Sequence, residues 1–241
     1  MKAYQKHQPN YYGNLPWLTI LLAISIWLFL GTGFALAKGA DQKQLVDNAR
    51  HTLESFMDDP HLTWFQSHVK NAKALLIVPQ SLKGAFIFGA EGGSGVLIVR
   101  DKDSGDWSNP AFYILGGLSF GFQWGGQASE VIIMARTDGA VEKLYTSSFK
   151  LGGDASIAAG PYGAGVEGST SANLNADFLS FSRSKGAFAG ISFEGAVIYA
   201  SDDSNEAYYG KTVRPIDILL KKSVNNPQAD GLRQAAKNAV H

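Results

Sequence analysis

The sequence contains no cysteine, and this absence removes several classes of protein at once. Without a thiol, the chain can form neither a disulfide nor the acyl anchor of a lipoprotein. A zinc site would also have poor ligands, because none of the histidines forms the H-E-x-x-H pattern. The sequence therefore predicts neither a metal nor any other cofactor.

Net charge is also missing, since 21 basic residues balance 21 acidic ones. Removal of residues 1–37, considered below, would leave 19 basic residues against 21 acidic ones. A chain with this balance has no positive field to attract nucleic acid, which is not an expected partner. Any anion-binding site must therefore come from a local cluster of cations.

The patterns of common catalytic sites are missing as well. Gly93-Ser94-Gly95 resembles part of a nucleophile elbow, but that motif requires glycine where Val96 stands. The glycines of GAEGGSG do not lead into the GK[ST] of a phosphate loop. Residues 202–206 are acidic without the spacing of a calcium loop and predict a solvated turn. We expect no enzymatic activity and assign no catalytic residue.

The one long apolar run lies near the N-terminus, where the 16 residues Leu15–Leu30 are almost wholly hydrophobic. Two lysines precede this run, and Ala35-Leu36-Ala37 supplies the small residues that a signal peptidase recognises. We expect residues 1–37 to be a signal peptide cleaved before Lys38, which predicts an exported protein of the periplasm or cell envelope. The alternative is an uncleaved anchor, because the run is long for a signal peptide yet shorter than a span of about 20 residues.

Two helices are predicted in the segment 38–74. Residues 41–58 carry apolar side chains at helical spacing, Asp59-Pro60 ends this helix, and His61–Ala74 forms the second one. The apolar stripe of the first helix either packs on the domain or lies on a membrane surface or in a partner's groove. As a candidate membrane-contact helix, this stripe consists of Leu45, Ala49, Leu53 and Phe56.

A β-rich domain with C-terminal helices is predicted for residues 75–241. The apolar run 74–78 is typical of a buried strand, whereas 112–124 alternates and predicts a half-buried one. The sequence EGGS is interpreted as the connection between strands at 85–90 and 95–100. Further predicted elements are a strand at 131–135 and helices at 138–147, 215–222 and 227–240.

Glycine is abundant in the chain, at 27 of 241 residues against the roughly 7% that is usual, and most of it lies between Gly84 and Gly210. Glycine permits sharp bending of strands, and closure or coiling of a sheet protects its edges. The predicted fold is therefore mainly β with flanking helices, of the α+β class. We expect an antiparallel, strongly coiled or closed sheet of long glycine-rich strands, with helices at both ends.

Within the glycine-rich part, residues 164–178 alternate between apolar and polar positions and predict one long strand. The phase then slips, and Arg183-Ser184-Lys185-Gly186 is interpreted as a hairpin turn. Arginine offers phosphate a bidentate fork, and Gly186 would expose backbone amides. These basic side chains are either ordinary surface charge or an anionic headgroup site. As candidate headgroup-binding residues we name Arg183, Lys185, Lys211 and Lys83, the last two because they adjoin glycines at predicted strand ends.

Several blocks in order resemble the SYLF-domain family, over roughly residues 70–222. They are LSFGFQWGGQASEVIIMARTDGAVEKL, LGGDASIAAGP and FSRSKGAFAGISFEGAVIYASDDSNEAYYG. The resemblance implies binding of membrane phospholipid and no enzymatic activity. Eukaryotic members also bind actin, whereas bacterial members are typically exported single-domain proteins, for which actin is not an expected partner.

The leading hypothesis is thus an exported, non-enzymatic protein that binds anionic phospholipid at a membrane surface. One alternative is a carrier of a small apolar ligand or acyl chain, with a β-barrel lined by Phe120, Phe122, Ile191 and Phe193. The other is a structural or interaction module of the cell envelope.

Overall fold

The computed structural model describes residues 41–84, 89–119, 127–161, 175–184 and 193–240, all within one compact unit. Six helices are described: α1 (41–58), α2 (Thr63–His68), α3 (Asp138–Leu144), α4 (Asp202–Tyr209), α5 (Pro215–Leu219) and α6 (Asp230–Ala239). Short 3-10 helices lie at Val69–Asn71 and Pro227–Ala229. The strands are β1 (Ala74–Gly84), β2 (Gly89–Val99), β3 (Ala111–Ser119), β4 (Gln127–Ala135), β5 (Ser148–Lys150), β6 (Ile157–Ala159), β7 (Phe178–Ser184) and β8 (Val197–Ala200).

The strands form one mixed sheet in the order β5-β8-β3-β2-β1-β4-β7-β6. Every described pairing between these strands is antiparallel except that of β6 with β7, which is parallel. The sheet curls into a half-barrel whose ladder begins at β5 and ends at β6. The predicted β-rich fold with a strongly coiled sheet and flanking helices is confirmed.

The central strand β1 is buried on both faces. Leu75 and Ile77 point into a core shared with α1, α2, α4 and α6, which we call the α1 face. Leu76 and Val78 point into a second core shared with α3 and the α5 residues, the α5 face. An unbroken apolar run is the pattern of a strand covered on two sides, and the prediction of a buried strand here is confirmed.

Strand β3 corrects the prediction of a half-buried strand at 112–124. Phe112 is buried on the α1 face, while Tyr113 and Leu115 are buried on the α5 face. The alternate side chains of β3 therefore enter two different cores, and neither face of this part of the strand is turned to solvent. Residues 120–126 lie outside the described part of the chain.

Three predicted boundaries also differ from the structure. The helix expected at 61–74 is shorter, because the chain must become extended for Ala74 to begin β1. EGGS is not a connection, since residues 91–94 pair with 114–117 inside β2 and β3. The solvated turn expected at 202–206 is the start of α4, whose first turn carries two acidic residues where the helix dipole favours them.

The long strand predicted at 164–178 lies largely outside the described residues. Of its described end, residues 175–177 are not strand, and β7 begins at Phe178. Arg183 belongs to β7 and pairs with Glu130 of β4, so it is not part of a turn. Lys185 and Gly186, the last two residues of the predicted turn, lie outside the described residues.

Close packing of β1 against β2 generates a first prediction. A Cβ at Gly95 would lie 2.7 Å from the Ile77 carbonyl oxygen and 2.8 Å from Val78 Cγ2. Since a backbone atom cannot swing away, we expect Gly95→Ala to lower the free energy of unfolding by about 1–3 kcal/mol in urea denaturation. Gly92→Ala, in the same strand but with its closest contact at 3.4 Å, is the matched control. An equal loss in both variants would contradict the packing argument.

Candidate functional site

Five strand ends meet at one edge of the sheet, which we call the open end. They are Gly84 of β1, Gly89 of β2, Ser119 of β3, Gln127 of β4 and Ser184 of β7. The blocks GGQ and SRSKG lead into or out of two of these ends, because β4 begins at Gln127 and β7 ends at Ser184. The chain thus brings two glycine-rich motifs that are far apart in sequence to adjacent strands.

Arg183, the described basic residue of the SRSKG motif, is engaged on all sides of its guanidinium. Its Nε donates to Glu130 Oε2 at 2.9 Å, and one Nη group contacts the same oxygen. The other Nη group lies 3.4 Å from both Asp59 Oδ2 and the Ser55 carbonyl oxygen. Ser55 Oγ accepts a further hydrogen bond at 2.6 Å. These five contacts match the five N–H donors of an arginine.

The surroundings of Arg183 join three elements into one cluster. The guanidinium carbon lies 5.3 Å from the centre of the Phe56 ring, so the cation also packs on an aromatic face of α1. Thr52 of α1 donates to the second oxygen of Glu130 at 3.1 Å. The Arg183 and Asp59 side chains are only 22% and 9% exposed. The Arg183 cluster therefore fastens α1 to β4 and β7 next to the open end.

This geometry corrects the expectation that Arg183 is a headgroup ligand at a hairpin tip. A phosphate could bind the guanidinium only by displacing carboxylates that already neutralise it. Removal of either acid contact would also leave a poorly solvated charge, which is strongly unfavourable. In the described conformation Arg183 stabilises the fold.

Of the other candidate cations, Lys211 lies far from Arg183, and Lys83 is described only by its backbone. Lys83 lies in β1 and pairs through its backbone with Gln127, three residues before the Glu130 that faces Arg183. Lys211 is exposed and follows α4, which Gly210 ends with a φ of 69°. That helix packs on β3, which is separated from β7 by β2, β1 and β4. Lys185 lies outside the described residues.

The candidate membrane-contact stripe is also corrected by the structure. Ala49, Leu53 and Phe56 are fully buried on the α1 face, and Leu45 packs against the same core. The helix predicted at 41–58 is confirmed, but its apolar side is already used by the sheet. Ala49, Leu53 and Phe56 cannot meet a bilayer while α1 remains in place, and Leu45 is partly buried against the same core.

Phe193, proposed as part of a ligand-binding barrel, is buried in the core of the α5 face. Its burial among Phe178, Ile198 and other core residues favours packing over a lining role. The remaining residues of that proposed lining, Phe120, Phe122 and Ile191, lie outside the described part of the chain.

A second basic surface surrounds α5, and we call residues 211–223 the α5 segment. Its cations are Lys211, Arg214, Lys221 and Lys222. Asp217 accepts from Lys221 Nζ at 2.9 Å and lies 3.6 Å from Arg214 Nε, while Lys222 contacts Asp101. Hydrogen bonds from Lys221 and the Arg214 backbone hold the pKa of Asp217 below its usual value. Hydrogen bonds from Lys222 and the 103–104 backbone do the same for the pKa of Asp101.

The buried tyrosines act as structural hydrogen-bond donors. Tyr113 donates to the Leu144 carbonyl, and Tyr209 donates to the Pro110 carbonyl at 2.7 Å. Burial raises the pKa of both hydroxyls far above the usual value. Both groups therefore stay protonated. Tyr113 links β3 to the end of α3, and Tyr209 links α4 to the residue before β3.

No group of three or more His, Asp or Glu side chains in the described ranges is placed to hold a metal ion. None of the described helices has both the length and the apolar character needed to cross a membrane.

Comparison with known proteins defines the class of the chain. Residues 116–239, just over half of the sequence, match the family model Ysc84, described as "Las17-binding protein actin regulator". This is a family of binding and adaptor modules. The chain belongs to the Ysc84 family, and the resemblance to SYLF domains is confirmed.

Curated relatives from animals and yeast agree with this assignment. The bovine SH3 domain-containing YSC84-like protein 1 is 34% identical over 165 residues, covering 68% of this chain and 48% of the relative. The human protein of the same name is 33% identical over the same length and shares. LAS seventeen-binding protein 3 of Saccharomyces cerevisiae is 34% identical over 167 residues, covering 68% of this chain and 36% of the relative. The chain spans about half the length, or less, of these relatives.

The Arg183 cluster generates a second prediction. Arg183→Ala should lower the free energy of unfolding by about 2–3 kcal/mol, because it leaves the carboxylates of Asp59 and Glu130 without the cation that neutralises them. Arg183→Lys keeps the charge but loses the planar fork, so we expect a smaller loss. Urea denaturation measures both. If the Ala variant were as stable as the wild type, Arg183 would be a free surface charge after all.

Proposed function

We propose that this protein is a non-enzymatic module that binds membrane phospholipid through anionic headgroups. The proposal is supported by the family match together with one observation, the meeting of the GGQ and SRSKG blocks at the open end. Gln127 and Ser184 lie on neighbouring strands, and Ser129 pairs directly with Ser184. Lys185 follows Ser184 in the chain, which makes it the proposed cation of this edge.

Among the remaining candidate cations, Lys211 is the described side chain best suited to an anionic headgroup. It is exposed, whereas the Arg183 guanidinium is occupied by carboxylates. A lysine near an anionic membrane contributes about 1 kcal/mol to binding. Lys83 remains a proposed contributor through its place in β1 near the open end.

We further propose that the protein acts outside the cytoplasm, in the periplasm or cell envelope. The support is the sequence of residues 1–37, with its basic start, apolar run and A-x-A end. Actin regulation, which the family description names, is not part of this proposal because an exported bacterial protein would not meet actin.

Co-sedimentation with vesicles tests the proposed function. The chain from Lys38 should bind anionic vesicles more strongly than neutral ones, and added salt should weaken the difference. Lys185→Ser and Lys211→Ser should each reduce binding to anionic vesicles about fivefold, the equivalent of about 1 kcal/mol per lysine. Lys143→Ser, which removes an exposed lysine of α3, is the control. Equal binding, or none, to both vesicle types at every salt concentration would refute the proposal.

A further inference from the structure

The α5 segment contains an exposed leucine whose neighbours in sequence are held in place by the core and by backbone hydrogen bonds. Leu220 is 54% exposed, more than any other large apolar side chain in the described ranges. The two residues before it, Ile218 and Leu219, are buried in the core of the α5 face. Backbone hydrogen bonds from Lys221 to Ile216 and from Ser223 to Asp217 fix the turn that follows. Leu220 therefore points outward from a position that the core determines.

The residue two places further on has an unfavourable backbone conformation. Lys222 has a φ of 51°, and no other non-glycine residue in the described part of the chain has a positive φ. The left-handed region is unfavourable by roughly 1–2 kcal/mol for a residue with a Cβ, and glycine avoids this. A lysine at a position suited to glycine breaks a local rule of stability. Such exceptions concentrate where function requires the side chain.

The charges around Leu220 are basic but only partly neutralised. Three of the four cations of the α5 segment contact two carboxylates: Arg214 and Lys221 contact Asp217, and Lys222 contacts Asp101. Glu206 accepts a hydrogen bond from Thr212 near the start of the segment. The Lys221 and Lys222 side chains are about half exposed, at 55% and 48%. Exposed ion pairs of this kind hold their partners weakly, so the ammonium groups can turn to other anions.

We propose that the α5 segment docks on an anionic bilayer, with Leu220 entering the acyl boundary and Lys221 and Lys222 reaching the lipid phosphates. The inference rests on the proposed phospholipid-binding function and assigns it a surface. An apolar side chain flanked by flexible cations suits an interface where one end is apolar and the other is charged. Charge complementarity favours an anionic bilayer as the partner, because lysines are attracted to anionic lipid. A neutral apolar partner would offer these lysines no opposite charge.

Two variants of the full chain test this surface against vesicles with and without anionic lipid. Leu220→Ser should weaken binding to anionic vesicles about tenfold, since a buried leucine side chain is worth that much or more. Lys222→Gly should weaken the same binding about fivefold. The Lys222→Gly variant should also keep or raise the melting temperature, because glycine removes the strain while only an exposed ion pair to Asp101 is lost. Loss of binding without loss of stability is a result that a purely structural role would not produce.

Tyr199→Ser is the matched control, because Tyr199 is another exposed large side chain, at 40%, on β8. Binding should be unchanged in this variant. If the wild type binds anionic vesicles and both α5-segment variants bind as well as it does, this surface is wrong while the proposed function stands. Equal losses in the control and in Leu220→Ser would also overturn it. If the wild type shows no preference for anionic vesicles, both the surface and the proposed function fall.

Discussion

Burial of β1 on both faces is the constraint from which the rest of the structure follows. Residues 74–78 are almost completely excluded from water, so each side of the sheet needs its own cover. The helices α1, α2, α4 and α6 supply one cover, while α3 and α5 supply the other. The apolar stripes of these helices are therefore buried against the sheet. Among the described residues, the helix side chains left for partners are those that project beyond the two cores, such as Leu220.

The same constraint separates the basic residues into two kinds. Arg183 lies where the end of α1 meets the sheet, and its low exposure is tolerable because Glu130 and Asp59 neutralise it. Lys221 and Lys222 lie beyond the buried part of α5, and water screens their ion pairs. Both sets pair with acids, but only the exposed set can exchange those partners at low energetic cost. Residue type alone does not distinguish these roles.

The spacing of apolar residues was enough to predict α1 and the buried strand β1, because each pattern lies within one short stretch of sequence. The partners of Arg183 were beyond such reasoning, since Glu130 is 53 residues away and Asp59 is 124 residues away. The polar start of α4 was misread as a turn, although acidic residues in a first helical turn were an available signal. The positive φ of Lys222 has no counterpart in composition or spacing. Register and backbone strain thus had to come from the structure.

The burial of α1 also determines where a membrane can be met. Releasing the stripe of Ala49, Leu53 and Phe56 to a bilayer would exchange one apolar environment for another, with little net gain. It would also uncover Leu75, Ile77 and Ile132 of the sheet and separate Asp59 from Arg183. Contact through side chains that are already exposed requires none of these losses. If the protein binds a bilayer as proposed, contact through the exposed residues of the α5 segment leaves α1 in place and keeps both cores intact.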